Sequence, residues 1–295
     1  FTPSNLLRTE GFATASMAGT ILGSIVNIIL DPIFIFVLGL GAAGAAIATV
    51  LGNICADIFF VWFLLKKSKK LSVNPLGFHI SADEIGQIMA IGFPASITNF
   101  MQSFGIALMN RFLLPYGNER VAAMGIVMKI NMIAVLILVG FAFGGQPLIG
   151  YNYGAGNHKR LQKILQFSYR FETGTGLLLA LILALTARPM IGLFIKDPAI
   201  VETGIPMLRM QLVGMPFIAV VLVTTCIFQS AGKAWNAFLL SVSRQGVLFA
   251  VVILLAARLA GYYGVLMAQA VSDLLTALLA VWLFWHGLYR VIWEK

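Results

Sequence analysis

The sequence predicts an all-α integral membrane protein of about eight transmembrane helices. Hydrophobic residues make up 60% of the chain and charged residues only 11%, against about 25% charged in soluble domains. The mean hydropathy is +0.93. Apolar stretches of more than about 18 residues recur along the chain, which is the length a spanning helix needs. The ten-residue alternating segments of a transmembrane barrel are not seen.

The spans are bounded by residues that stop helices. The first, 14–38, ends at Gly39 and Gly41, and the second, 41–65, ends in the basic run KKSKK (66–70). A linker at 66–85 follows, containing SVNPLGF. The third span, 86–114, stops at Pro115 and Gly117; the fourth, 121–149, runs into a Gly-rich stretch, GFAFGGQPLIGYNYGAG (140–156). The fifth and sixth, 163–187 and 203–229, are bounded by Pro198 and Gly232. The last two, 234–258 and 264–287, are separated by Gly261 and Gly264.

The formal charge of +9 is expected of a membrane protein with basic cytoplasmic loops, and nucleic-acid binding is not expected. Arg8, KKSKK, NHKR (157–160), Lys163, Lys233, Arg290 and Lys295 fall on one side if the spans alternate. That side is expected to be cytoplasmic, with both chain ends on it and the protein multi-pass in the plasma membrane. Cys55 and Cys226 lie in apolar spans, and His79, His158 and His286 are scattered, so neither a disulfide framework nor a metal centre is expected. Catalytic triads, phosphate loops and metalloprotease motifs do not occur, so the chain reads as a non-enzyme without a cofactor.

An internal repeat is visible. GAAIATVLGN (44–53) resembles GVLMAQAVSD (264–273) at an offset of 220, and RTEG (8–11) resembles QSAG (229–232) at 221. The first two spans therefore read as the tail of one unit and the last two as the tail of a second, six-span unit. On this reading residues 1–65 close an N-terminal lobe, 66–85 link the lobes, and 86–295 form the C-terminal lobe. Four spans are then expected upstream of Phe1, where FTPSNLLRTEG opens without a Met. Such pseudo-symmetry is common in secondary transporters.

Polar residues inside the spans carry the chemistry. Asp31 sits in NIILDPIFIF (27–36), where an unpaired carboxylate is expensive. Asn27, four residues earlier, shares its helix face, and Pro32 frees a backbone carbonyl. A carboxylate, a carboxamide and free carbonyls suit a proton or a small hard cation, with Thr49 in the next span able to add a hydroxyl. Asp57 and Asp273 read as polar locks between helices, Arg170 and Glu172 as residues near a cytoplasmic helix end that snorkel, and Lys129 as a candidate for an acid partner or a cavity. Met101, Gln102, Phe104 and Met132 are candidates for an adaptable substrate cavity, and Pro32, Pro94 and Pro147 for hinges.

NLLRTEG (5–11), NIILDPIFIF with LGLGAAGAAIATV (38–50), IGFPASI (91–97) and QPLIGYNYGAGN (146–157) together resemble the multidrug and toxic compound extrusion (MATE) family. The resemblance covers essentially the whole chain and implies helices five to twelve of a twelve-helix, two-lobe, pseudo-symmetric transporter. It implies export of organic cations or amphipathic drugs by alternating access, in exchange for H⁺ or Na⁺, by a protein that is monomeric when complete. The family's N-lobe cation ligands map onto Asn27, Asp31 and Thr49, while its first-helix Asp would precede Phe1. Some members carry an acid ten residues after the Gly of the GFP motif; here that position is Gln102, which leaves Asp31 as the main coupling residue. Two other functions are consistent with the residues. One is a lipid-linked precursor flippase of related architecture, for which Lys129, Arg209 and Arg244 would line a basic cavity. The other is a fragment inactive by itself.

Overall fold

A computed structural model describes residues 2–68 and 81–293. All regular elements among them are helical, in two compact units, Phe1–Ser81 and Ala82–Lys295. Most of the linker expected at 66–85 lies outside the described residues.

In the first unit, α1 (Thr2–Thr9) turns at Gly11, φ 89°, into α2 (Ala13–Pro32). A π-helical turn, Ile33–Val37, extends α2, and Gly39 and Gly41 take positive φ before α3 (Gly41–Lys67). Helices in lipid gain little from hydrophobicity and associate through close van der Waals fit of small residues. The buried stripe of α3 accordingly runs Gly44, Ala48, Gly52, Ala56, and that of α2 is Ser16, Gly19, Gly23. A Cβ on Gly23 would stand 2.8 Å from the Gly52 carbonyl oxygen, so the two backbones touch. Ser4 shares a hydrogen bond with Ser16 at 2.7 Å, and Arg8 Nε donates to Ser16 Oγ at 3.1 Å, which ties α1 to α2. Large apolar residues face outward, Phe36 at 80% exposure and Ile28 at 67%, as lipid contact requires.

In the second unit, α4 (Ala82–Leu113) contains Pro94, and α5 (Asn118–Gly154) contains Pro147. α5 has 37 residues, about 55 Å of helix, well beyond a hydrocarbon core of about 30 Å. α6 (His158–Leu185) begins at an Asn157 cap whose side chain accepts from the Arg160 amide. α7 (Ala187–Phe194) is a short helix bent 74° from α6. α8 (Pro198–Leu212), capped by Asp197, meets α9 (Met215–Ser230) at a 44° bend beside Gly214. α10 (Ala234–Val242) passes through a π turn, Ser243–Val247, into α11 (Leu248–Phe284); a second π turn, Trp285–Tyr289, leads to α12 (Arg290–Trp293). Gly261, at φ 53° and ψ −128°, breaks α11 into two arms. The arms fold together, because Arg244 and Asp273 bond across the hairpin at 2.8 Å.

Four helices among the described residues are long and apolar enough to cross a membrane, or six if each bent pair is one span. One of the four is the 56-residue run Ala234–Tyr289, which the Gly261 break divides. The core of the second unit forms two clusters, one around Met124, Leu138, Met215 and Phe249, the other around Leu165, Phe228 and Leu240.

Candidate functional site

The Gly23–Gly52 contact positions the polar cluster of the first unit. A Cβ on Gly52 would stand 2.7 Å from the Gly23 carbonyl oxygen and 3.1 Å from Asn27 Cβ. The absence of side chains there lets Asn27 on α2 reach Thr49 on α3. Asn27 Nδ2 donates to Asp31 Oδ1 at 3.4 Å and to Thr49 Oγ1 at 3.4 Å. The Thr49 hydroxyl in turn donates to the Ala45 carbonyl at 2.9 Å, which fixes its rotamer. Asn27 and Asp31 are half-buried, and Thr49 is exposed. Pro32 follows Asp31 at the end of α2; it has no amide to bond the carbonyl one turn back.

Asn27 therefore lies within hydrogen-bond range of both Asp31 and Thr49 and joins the three expected side chains inside one unit. They offer a carboxylate, an amide oxygen if the Asn27 amide turns, and a hydroxyl. Such a set suits a proton or, with further oxygens, a small cation. Among the described residues no group of three or more His, Cys, Asp or Glu is placed to hold a metal.

The other named residues are dispersed over the second unit. Met101 packs its sulfur against Gly246, where a Cβ would stand 2.6 Å from Sδ. Gln102, Phe104 and Met132 are exposed on the unit's surface. Lys129 is also exposed, on α5. Arg209 donates to the Ala184 carbonyl at 3.3 Å. Arg244 is paired with Asp273 at 2.8 Å. Lys129, Arg209 and Arg244 thus face three different surroundings rather than one basic cavity.

Asp273 is the helix lock that the sequence suggests. It is 1% exposed and also accepts from Gln269 Nε2 at 3.1 Å. Asp57, read in the same way, is instead exposed on α3, where no partner helix of its unit covers it. Glu172 does not snorkel. α6 starts at His158, earlier than its apolar stretch, so Glu172 sits 14 residues in, about 21 Å along the helix. It is 2% exposed and neither carboxylate oxygen has a hydrogen-bond partner. Its burial comes from α5 and α9, segments remote in sequence, so local pattern carries no signal of it.

The profile of the MatE family matches residues 94–255. Multidrug export protein MepA of Staphylococcus aureus (strain bovine RF122 / ET3-1) is 30% identical over 275 residues, covering 93% of this chain and 60% of that protein. MepA of Staphylococcus saprophyticus is 27% identical over 274 residues, again covering 93% and 60%. This chain thus spans about 60% of the length of these curated relatives. Among solved structures, MATE in the straight conformation superposes with a TM-score of 0.87 at 25% identity, covering 98% of this chain and 65% of that one. A MOP superfamily transporter from Pyrococcus furiosus Vc1 gives a TM-score of 0.90 at 24% identity, covering 99% and 66%. From the extent of the family match and the shared helical fold, the chain belongs to the MATE family of membrane transporters.

Proposed function

We propose that the protein exports amphipathic organic cations or drugs across the plasma membrane in exchange for H⁺ or Na⁺, with Asp31 as the coupling residue. The observation that supports this best is the Asn27–Asp31–Thr49 cluster, a carboxylate with an amide neighbour that also reaches a hydroxyl on the next helix, in a predominantly apolar helix pair. Its relatives are named multidrug export proteins. Both chain ends face the cytoplasm in this reading, on the side that carries most Lys and Arg, and the complete protein works as a monomer.

The cluster can couple a cation to a change of shape. With Asp31 charged, its Oδ1 holds the Asn27 amide. A bound cation takes over that oxygen and frees the amide to turn. Pro32 leaves the backbone one hydrogen bond short at the same level, so α2 bends there at little cost. A cation drives transport only if it binds the two access states with different affinity, and a bend at Asp31 provides such a difference.

The test is drug export by the full-length protein carrying Asp31→Asn, in vesicles with an imposed Na⁺ or H⁺ gradient. Export driven by neither gradient is expected. Export that remains gradient-driven would overturn the role of Asp31. Replacing Na⁺ by choline in the wild type identifies the ion.

A further inference from the structure

Glu172 borders a half-open cavity of about 590 Å³ lined by α5, α6 and α9, all in the second unit. α6 contributes Arg160, Lys163, Phe167, Ser168 and Glu172 to it, at intervals that keep one helix face. That face runs nine residues from Lys163 to Glu172, about 13.5 Å. The cavity therefore runs from exposed basic side chains at the start of α6 to a carboxyl buried in the middle of the helix. The opposite walls are apolar, with Phe141 and Ile149 from α5 and Val223 and Cys226 from α9. Phe171 lies between Phe141 and Phe167, its ring 5.0 and 5.5 Å from theirs.

A buried carboxylate with no hydrogen-bond donor is costly, and something must relieve it. Protein donors do not, since both oxygens are unpartnered. A metal cation wants about six oxygens, whereas this cavity adds little more than the Ser168 hydroxyl to the carboxylate. Arg160 and Lys163 in the lining oppose binding of any permanent cation. A proton needs one oxygen and arrives through water. We propose that Glu172 is a proton-binding site in the second unit, loaded through this cavity from its Lys163 end.

The surrounding groups do not supply an alternative partner. On α6, Arg160 and Lys163 are exposed near its start and do not bond Glu172, and the Tyr169 hydroxyl is held by Thr224 of α9 at 2.9 Å. α9 offers the Cys226 thiol, and the lining residues of α5 are Phe141, Ala142, Gly145, Leu148 and Ile149. Arg209 of α8 bonds the Ala184 carbonyl, 12 residues beyond Glu172. Arg188 of α7 pairs with Glu202 at the surface. Asp31 belongs to the other unit, so the proton site stands whether or not Asp31 couples transport.

Dicyclohexylcarbodiimide tests this, because it modifies carboxyls that carry a proton in apolar surroundings. The full-length wild-type protein in lipid nanodiscs is treated across a pH series, and the adduct at Glu172 is measured by peptide mass spectrometry. The adduct is expected to fall at least about 10-fold from about pH 5 to about pH 9, as a carboxyl that exchanges with solvent loses its proton. Asp31→Asn is expected to leave this profile unchanged, and Glu172→Asp to keep a pH-dependent adduct at the same position. Absence of adduct at every pH, or a yield that does not change with pH, would overturn the proposal. The labelling is read on resting protein, so its failure and a failure of the Asp31 experiment are separate results.

Discussion

Removing the carboxylate of Asp273 should destabilise the second unit more than removing any surface acid. Asp273 is 1% exposed; its Oδ1 accepts from Arg244 Nε at 2.8 Å and from Gln269 Nε2 at 3.1 Å. Its Oδ2 lies against Gly214, where a Cβ would stand 2.7 Å away. The Arg244 side chain is only 16% exposed. Asp273→Ala therefore strands a guanidinium in an apolar hairpin, which costs about 3–5 kcal/mol. For a unit of this size that lowers the unfolding temperature by about 6–20 °C. The contrast is Arg188–Glu202, whose side chains are 73% and 60% exposed. Breaking that pair should cost about 0–1 kcal/mol. The assay is thermal unfolding of purified protein in detergent, for Asp273→Ala, Glu202→Ala and the double variant Arg244→Leu/Asp273→Leu. The double variant should recover much of the loss, because it removes both buried charges together. The reasoning is refuted if Asp273→Ala matches Glu202→Ala, or if the double variant is worse than the single one.

Further outcomes are expected at glycines. Gly264→Ala places a methyl 1.9 Å from the Ala256 carbonyl oxygen, a backbone atom that cannot yield, so the α11 hairpin cannot close and folded protein is lost on size-exclusion chromatography. Gly125→Ala, with nothing within 4 Å of the new methyl, should be neutral or should stabilise by up to about 1 kcal/mol in the same preparation. Gly52→Ala should push α2 from α3, part Asn27 from Thr49, and reduce gradient-driven export while leaving Asp31 in place; unchanged export would separate the cluster's geometry from its function.

Much of the fold is legible because lipid imposes length and apolarity on every span. The expected 14–38 and 41–65 become Ala13–Val37 and Gly41–Lys67, and Gly39, Gly41 and Gly261 take the positive φ that ends a helix or turns it back. The i, i+4 spacing of Asn27 and Asp31 is local and readable; the approach of Thr49 depends on two glycines 29 positions apart meeting face to face. The short α7 is not legible as a separate helix, since Thr186, Arg188 and Pro189 mark the end of the α6 run but do not tell that a further helix, bent by 74°, follows. Nor is the burial of Glu172, which depends on where α5 and α9 cross α6. Asp273 reads as a lock, but its partner lies 29 residues back, inside a π turn that no periodicity marks.

The π turn after Asp31 has its own consequence. In Ile33–Val37 the chain is wound wider than an α-helix, and Leu38 N–H reaches back five residues to the Ile33 carbonyl at 2.9 Å. Such a turn holds one residue more than the helix around it needs. A surplus residue can migrate along a helix, because each step trades one wide hydrogen bond for one ordinary bond. Toward the N-terminus the next residue is Pro32, which has no such bond to give up. Carried on past Pro32 and Asp31, the surplus residue would swing Asp31 around the helix axis by about 100°, while the Gly39–Gly41 corner stays where it is. The heading of the carboxylate is then a variable that the backbone can set, and the ends of the helix need not move for it to change.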